Sequence, residues 1–264
     1  GADGLPPHIS MRESIGHMPK LDALNKTVDD NDPFHSVPSW NEDHYFCMDN
    51  TPEGCTAFDN NTCVKCGFEE NAHPDVDCRE CGERLPKPQI EVEEWECPDC
   101  GFTLRKSRTS CQCGFVKPKE LKLSKNRRVV RGFKTSYRRL KWDSPASTLT
   151  MNSGVISSDM KGHPDQNRVL SVREILLLSS LEAHPGADYA WDKKYEFKSV
   201  DEEGKIFYGG EFTPKLVRQV IGESIPPLAM FRIVGRLMDL DPRMEGPVHT
   251  KGLATQKFLD EIFN

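Results

Sequence analysis

Cys63-Val-Lys-Cys66-Gly67, Cys78-Arg-Glu-Cys81-Gly82, Cys97-Pro-Asp-Cys100-Gly101 and Cys111-Gln-Cys113-Gly114 punctuate one short stretch of this chain. Each pair brings two thiolates onto one tight turn, and the glycine after it frees the backbone to bend around the sulfur. A lone CxxC is shared with redox enzymes, but four knuckles within 51 residues form a metal pattern. The simplest pairing joins neighbours, Cys63/Cys66 with Cys78/Cys81 and Cys97/Cys100 with Cys111/Cys113. A crossed pairing of Cys78/Cys81 with Cys97/Cys100 would strand the outer pairs. Four sulfurs leave no open coordination position, so two structural zinc ions are expected rather than a catalytic one. A disulfide framework competes with this reading, and no secretory context supports it. Cys47 and Cys55 are left over. They either join His44 or His73 in a third site or stay free in a loop-rich region, and their spacing matches no zinc pattern.

The surroundings of the knuckles are polarised. The 264 residues carry a formal net charge of -6, yet residues 1–100 hold 7 Lys/Arg against 22 Asp/Glu, whereas residues 101–141 hold 14 against Glu120 alone. Phosphate binding depends on such local density, not on the average. Within the basic stretch Arg127, Arg128, Arg131, Lys134, Arg138, Arg139 and Lys141 alternate with Val129, Val130, Phe133, Tyr137 and Leu140. An ordinary solvated edge strand would look similar, but a basic stripe with aromatics beside zinc knuckles points to nucleic acid. Hydrophobic residues make up only 36% of the chain, so its domains need metal or a partner to supplement small cores. No apolar run approaches the roughly 18 residues of a membrane span, and no signal-peptide h-region opens the chain. Gly1-Ala2-Asp3-Gly4 lacks an initiator Met, which suggests a piece of a longer protein.

Outside the knuckles, capping signals place the helices. Ser10-Met-Arg-Glu13 and Ser171-Val-Arg-Glu174 are capping boxes, predicting helices that stop near Gly16 and Leu181. Thr213-Pro214 starts another, with Gly222 as its end. Leu228, Phe231, Val234 and Met238 recur at helical spacing in a helix from Pro226-Pro227 to Leu240, and a last helix carries Phe258, Leu259, Ile262 and Phe263. Residues 23–60 read as loop, short strands are expected between knuckles, and Glu91–Glu96 reads as a solvated acidic linker between the two metal sites. No GxGxxG or Walker loop is present.

Several of these segments resemble the C-terminal portion of C5-cytosine-specific DNA methyltransferases. Trp142 through Thr150 looks like that family's W..PS.T.T segment, Arg168-Val-Leu-Ser-Val-Arg173-Glu174 like its ninth motif, and Gly222-Glu-Ser-Ile-Pro-Pro227 like its tenth. Ser10 through Pro19 resembles the segment that follows the eighth. The resemblance covers residues 8–22 and 140–240, in order, and the knuckles fall where the family keeps its variable target-recognition domain. It implies an α+β fold: a zinc-ribbon-containing target-recognition domain over 23–150, after a segment 1–22 that follows the catalytic lobe. A helical region over 151–264 would then pack on a Rossmann-like catalytic lobe.

The family flips the target cytosine out of the duplex, attacks it with a cysteine thiolate and methylates it from S-adenosylmethionine. No cysteine here follows a proline as the family's nucleophile does, and the first eight motifs are missing. The resemblance therefore implies no catalytic residue in this chain and a requirement for a separate catalytic lobe or subunit. It implies contact with double-stranded DNA through the basic stripe and Thr148, whose other reading is a strand-filling threonine. It also implies a cofactor-bordering turn at Glu223, Ser224 and Ile225, with Glu223 standing where the motif usually has Asn. A cytoplasmic, DNA-associated protein of a bacterium, archaeon or phage is expected, with no membrane partner. A non-enzymatic zinc-ribbon adaptor for nucleic acid explains the knuckles and stripe but not the ordered motifs. A thiol-disulfide redox protein explains neither the paired knuckles nor the lack of a thioredoxin-like pattern.

Overall fold

The computed structural model describes residues 8–133, 135–158, 161–187, 189–190, 199–200, 206–207, 213–237 and 248–249. The chain forms two compact units: an inserted unit, Ala57–Gly132, and a flanking unit, Gly1–Thr56 with Phe133–Asn264. The inserted unit is narrower than the stretch 23–150 assigned to target recognition from sequence.

In the flanking unit both capping boxes form. Ser10 caps α1 (Met11–Ile15), its hydroxyl accepting from the Glu13 amide at 3.2 Å while its own amide donates to Glu13 Oε2 at 2.8 Å. Ser171 and Glu174 repeat the arrangement at the start of α3 (Val172–Leu178). That helix stops short of Leu181 because Ser180 adopts a positive φ of 58°. Between them lies a helix in the stretch expected to be loop, α2 (Glu42–Asp49), capped by the Asn41 side chain accepting from the His44 amide at 2.8 Å. Only Cys47 and Met48 of α2 are buried, so no apolar periodicity announced it.

The early and late parts of this unit interlock. The Met11 and Arg12 amides donate to Ser144 O and Trp142 O at 2.9 and 3.0 Å, and the Ala23 amide donates to Asn167 O at 3.1 Å. The buried His35 ring bonds Ser171 Oγ at 2.8 Å through one nitrogen and Pro19 O at 2.7 Å through the other. Met11, Ile15, Trp142, Leu170, Ile175 and Leu176 form the core, closed by Val217 and Ile221 of α4 (Pro214–Glu223). Thr213 caps α4 as expected. Gly222, however, lies inside the helix rather than ending it. A Cβ there would sit 2.2 Å from Met151 N, so the glycine is required for close approach, not for termination. The last described helix is α5 (Pro227–Leu237); residues 238–240 and the expected helix around Phe258 lie outside the described residues.

Arg168 and Arg139 are among the buried cations of this unit. The Arg168 guanidinium meets Glu174 in a bidentate pair, 2.7 Å on each side, with both side chains fully buried. Burial by itself would raise the Glu174 carboxyl, but Arg168, aided by the Ser171 amide, holds it at about 2. Arg139 is also buried. Its nitrogens donate to Thr51 O (2.6 Å), Met48 O (2.7 Å), His163 O (2.9 Å) and Gln166 O (2.6 Å), and to Asn167 Oδ1.

The inserted unit opens with a 3-10 turn, Ala57–Asp59, and is built on one antiparallel sheet. Its strands are β1 (Gln89–Glu96), β2 (Thr103–Arg105) and β3 (Ser124–Val129), with β1 central. The acidic segment expected to be a solvated linker is therefore the middle of the sheet. Glu91 pairs with Arg127 and Glu93 with Lys125 across β1 and β3, and cross-strand opposite charges stabilise such a pair. Two short pairs complete the described strands, β4 (Tyr189–Ala190) parallel to β7 (Val248–His249) and β5 (Ser199–Val200) antiparallel to β6 (Ile206–Phe207). No helix among the described residues is long and apolar enough to cross a membrane.

Two stability predictions follow from the buried cations. Replacing Arg139 with Ala leaves its carbonyl acceptors without donors and should cost at least ~3 kcal/mol in urea unfolding. A cost below ~1 kcal/mol would show that the clamp is dispensable. Because the folded Glu174 carboxyl lies below its unfolded value, its stabilisation is complete above about pH 4.5 and is lost as pH falls toward 2, on the order of 3 kcal/mol in all. Urea midpoints measured at pH 7, 5, 4 and 3 should fall through that window. Glu174→Gln should start less stable at pH 7 and show a shallower fall.

Candidate metal centres

Four turns of one design hold the eight knuckle cysteines. In each, the amide of the first cysteine donates to the carbonyl of the residue after the glycine: Cys63 to Phe68 (2.9 Å), Cys78 to Glu83 (2.7 Å), Cys97 to Phe102 (3.0 Å) and Cys111 to Phe115 (2.8 Å). The glycine amide returns to the first cysteine's carbonyl, Gly67 to Cys63 and Gly82 to Cys78 at 2.9 Å, Gly101 to Cys97 at 2.8 Å, Gly114 to Cys111 at 3.1 Å. This loop requires a left-handed residue after the second sulfur, and Gly67, Gly82, Gly101 and Gly114 all have positive φ, from 70° to 98°. The first cysteine of each turn is buried and the second exposed.

The turns meet in neighbouring pairs. Cys63, Cys66, Cys78 and Cys81 bring their sulfurs within 4.8 Å of one another, as do Cys97, Cys100, Cys111 and Cys113. The Cys63–Cys81 and Cys66–Cys78 separations are 3.6 Å, and the Cys97–Cys113 and Cys100–Cys111 separations 3.4 Å. Tetrahedral zinc with bonds of ~2.3 Å sets its sulfurs ~3.8 Å apart, so both groups fit the ion with a slight expansion. The charges also need a cation. Burial raises the Cys78 thiol, yet the amides of Cys81 and Glu80 bring it to about 6. Cys66 goes the other way: against the pull of the Phe68 amide, desolvation and the crowded sulfurs of Cys81 and Cys63 push it up to about 12. Four thiols this close cannot all ionise until a metal stands among them. An ion held by four thiolates ties loops together and offers no position for a reactant.

Each group is also a core. Cys63 and Cys78 bury Leu85 and are flanked by Phe68; Cys97 and Cys111 surround Trp95 and Leu104, flanked by Phe115, Leu121 and Leu123. Sequence reading missed the polar residues that support them. Asn71 is buried, donating to Asn61 O (2.8 Å) and Phe68 O (3.1 Å) and accepting from the Arg79 amide (2.9 Å). Its amide nitrogen also lies 3.9 Å from Cys78 Sγ. Lys87 is wholly buried, its ammonium donating to Ala72 O at 2.6 Å, and Trp95 donates to Arg108 O at 3.0 Å. A polar residue between two knuckles is the only signal that sequence offered for Asn71. Among the described residues no third group of metal-ligating side chains gathers; the His44 ring instead faces Tyr137, and His73 stacks on Phe58.

The remaining sequence-predicted residues are spread over both units. In the inserted unit Arg127 pairs with Asp77 at 2.6 Å, Arg128 pairs with the buried Glu94 at 2.9 Å, and Arg131 is exposed. In the flanking unit Arg138 is half-buried and donates to Gly54 O at 3.1 Å, while Lys141 and Thr148 are exposed. Arg139 is turned inward and reaches no surface, a correction to its place in the stripe, and Lys134 lies outside the described residues. Glu223, Ser224 and Ile225 form the exposed turn from α4 to α5, where Glu223 accepts from Gln219 (3.1 Å) and Ser224 Oγ donates to Ile221 O (2.8 Å).

Comparison with known proteins bears on what this frame serves. Over part of its length the chain is similar to type II methyltransferases. It is 32% identical over 123 residues to the type II methyltransferase M1.HgaI of Avibacterium volantium, a match covering 43% of this chain and 29% of that protein. It is 30% identical over 89 residues to the type II methylase M.HgiDII of Herpetosiphon aurantiacus, covering 34% and 23%. The matches thus span under a third of the length of these methyltransferases. No family profile and no solved structure matches the chain.

Metal analysis of the purified chain should find two zinc ions, with Cys63→Ser and Cys97→Ser each retaining one. Chelation should remove amide-exchange protection from 89–96 while α3, which rests on its own apolar core, stays protected. Persistence of sheet protection after complete metal removal would defeat the structural role.

Proposed function

We propose that this chain is the target-recognition and C-terminal part of a DNA cytosine-5-methyltransferase, which acts with a catalytic lobe supplied from elsewhere. The observation that carries the reading is an arrangement. The segments resembling the family's motifs close on each other in one unit, α1 bonding Trp142 and Ser144 and packing on Leu170, Val172 and Ile175, and the two four-sulfur groups form a separate unit inserted between them. The partial similarity to two type II methyltransferases supports the same reading.

In this reading the metal-braced unit grips double-stranded DNA, and Arg or Lys side chains contact phosphates and base edges. Lys141 and Thr148, exposed on the flanking unit, face the duplex near the flipped base. The α4–α5 region packs on the Rossmann-like lobe. Leu216, Val220, Ile225, Met230 and Ile233 are apolar yet exposed along it, the kind of surface that a partner covers. S-adenosylmethionine, bound mainly by the lobe, would supply the methyl group beside the turn at Glu223, Ser224 and Ile225. The thiolate nucleophile also belongs to the lobe: the eight knuckle cysteines are gathered in the four-sulfur groups, and neither Cys47 nor Cys55 follows a proline as the family's nucleophile does.

The test is complementation. The chain alone should transfer no methyl group from S-adenosylmethionine to DNA. Mixed with a polypeptide carrying the missing motifs, it should produce 5-methylcytosine at one short sequence, identified by mass spectrometry of the nucleosides. An N-methylated base would overturn the cytosine-5 assignment. Duplex binding without any transfer would favour the adaptor reading.

A further inference from the structure

The two halves of the inserted unit differ in charge. Residues 63–84 hold Lys65, Arg79 and Arg84 against Glu69, Glu70, Asp75, Asp77, Glu80 and Glu83. Residues 101–123 hold six Lys/Arg against Glu120 alone. A polyanion is repelled by the first half and attracted by the second.

The basic residues themselves divide in the same way. Those on β3 are already balanced: Lys125 pairs with Glu91 (3.1 Å), Arg127 with Asp77 (2.6 Å) and Arg128 with Glu94 (2.9 Å). By contrast Arg105, Arg108, Lys119 and Lys122 are exposed and form no ion pair among the described residues. Their backbone is fixed by the second metal group. The Arg108 carbonyl accepts from the buried Trp95, and the Arg108 amide donates to Arg105 O at 2.9 Å. The Lys117 amide donates to Thr109 O at 2.8 Å, and Leu121 and Leu123 pack on the core of Trp95, Cys97 and Cys111. In the same stretch Phe102 and Val116 stand exposed at 55% and 68%. Phe102 is held by the knuckle itself, since its carbonyl accepts from the Cys97 amide.

We infer that the second ribbon, through Arg105, Arg108, Lys119 and Lys122, is the surface that anchors duplex DNA, and that the basic strand β3 serves the sheet. This rests on the DNA-binding reading proposed above and moves the contacts away from Arg127 and Arg128. Exposed cations on a held backbone suit duplex phosphates, and unpaired cations release counterions when they meet them.

The experiment uses the full zinc-loaded chain and a fluorescent duplex of mixed sequence, with anisotropy followed over a salt series. Arg105→Gln, Arg108→Gln, Lys119→Gln and Lys122→Gln combined should lower the slope of log K against log salt by about 3–4, at ~0.9 per phosphate contact, and weaken binding at least tenfold. Lys125→Gln with Arg127→Gln should change the slope by less than about one. Both variants must keep two zinc ions and the parent circular dichroism. If either set fails to fold, the four single variants, each expected to lower the slope by about one, give the same decision. An unchanged slope for the quadruple variant, with the loss appearing in the β3 variant, overturns the inference and leaves the DNA reading standing. A parent chain that binds no duplex defeats the DNA reading itself. Displacement of the duplex by polyglutamate at equal charge would assign the surface to an acidic protein instead and overturn the inference.

Discussion

An insertion of this size must leave and re-enter its host at nearly one place, and Arg139 makes that possible. The Arg139 amide donates to Cys55 O at 3.0 Å and the Gly54 amide donates to Leu140 O at 3.2 Å, so the outgoing and returning backbones pair. The Arg139 side chain then ties the end of α2, at Met48 and Thr51, to the turn of His163, Gln166 and Asn167. Burial lowers the affinity of this guanidinium for its proton, but arginine starts too high for that to neutralise it. A buried charge with its donors matched to carbonyls is tolerable; the same charge with acceptors missing is not. The joint therefore forms only when three separate segments are in place.

This also explains which features were legible beforehand. Caps and knuckles are local: Ser10, Ser171 and Thr213 announce helices within four residues, and each glycine after a knuckle announces its own positive φ. The roles of Arg139 and of β1 are not local. Nothing in Arg138-Arg139-Leu140 distinguishes an inward arginine from a surface one, because the difference lies in carbonyls donated by residues 48, 51, 163 and 166. Likewise Glu91–Glu96 shows no apolar alternation. It becomes a strand because β3 brings Lys125 and Arg127 opposite its glutamates, and because Trp95 fits the second metal core. Two charge runs of opposite sign, separated by two knuckles, were the available signal.

The inserted unit has little apolar surface to hold it together. Its two cores contain Leu85 and Phe68 on one side and Trp95, Leu104 and a few flanking residues on the other, the rest being sulfur. Cores of this size do not offset chain entropy on their own. An ion held in each four-sulfur group would substitute for them and hold each knuckle at a fixed point from which its loop departs. That economy leaves room on the outer surface for six basic residues within 101–123.

The segment read as a family motif spends its charged side chains on structure. In Arg168-Val-Leu-Ser-Val-Arg173-Glu174 every charged group is engaged in structure. Arg168 and Glu174 neutralise each other in the interior, and Arg173 bridges Asp32 and Glu182 while lying over the Phe34 ring. The Glu174 carboxylate serves twice, as the partner of Arg168 and as the capping acceptor for Ser171, so the turn into α3 and the ion pair stand or fall together. With every charge paired, this segment is a rigid frame in the described structure. What the frame holds is the joint at Arg139 on one side and the Gly222 contact with Met151 on the other. Those two points fix the place where the inserted unit leaves the flanking unit and the start of the α4–α5 turn.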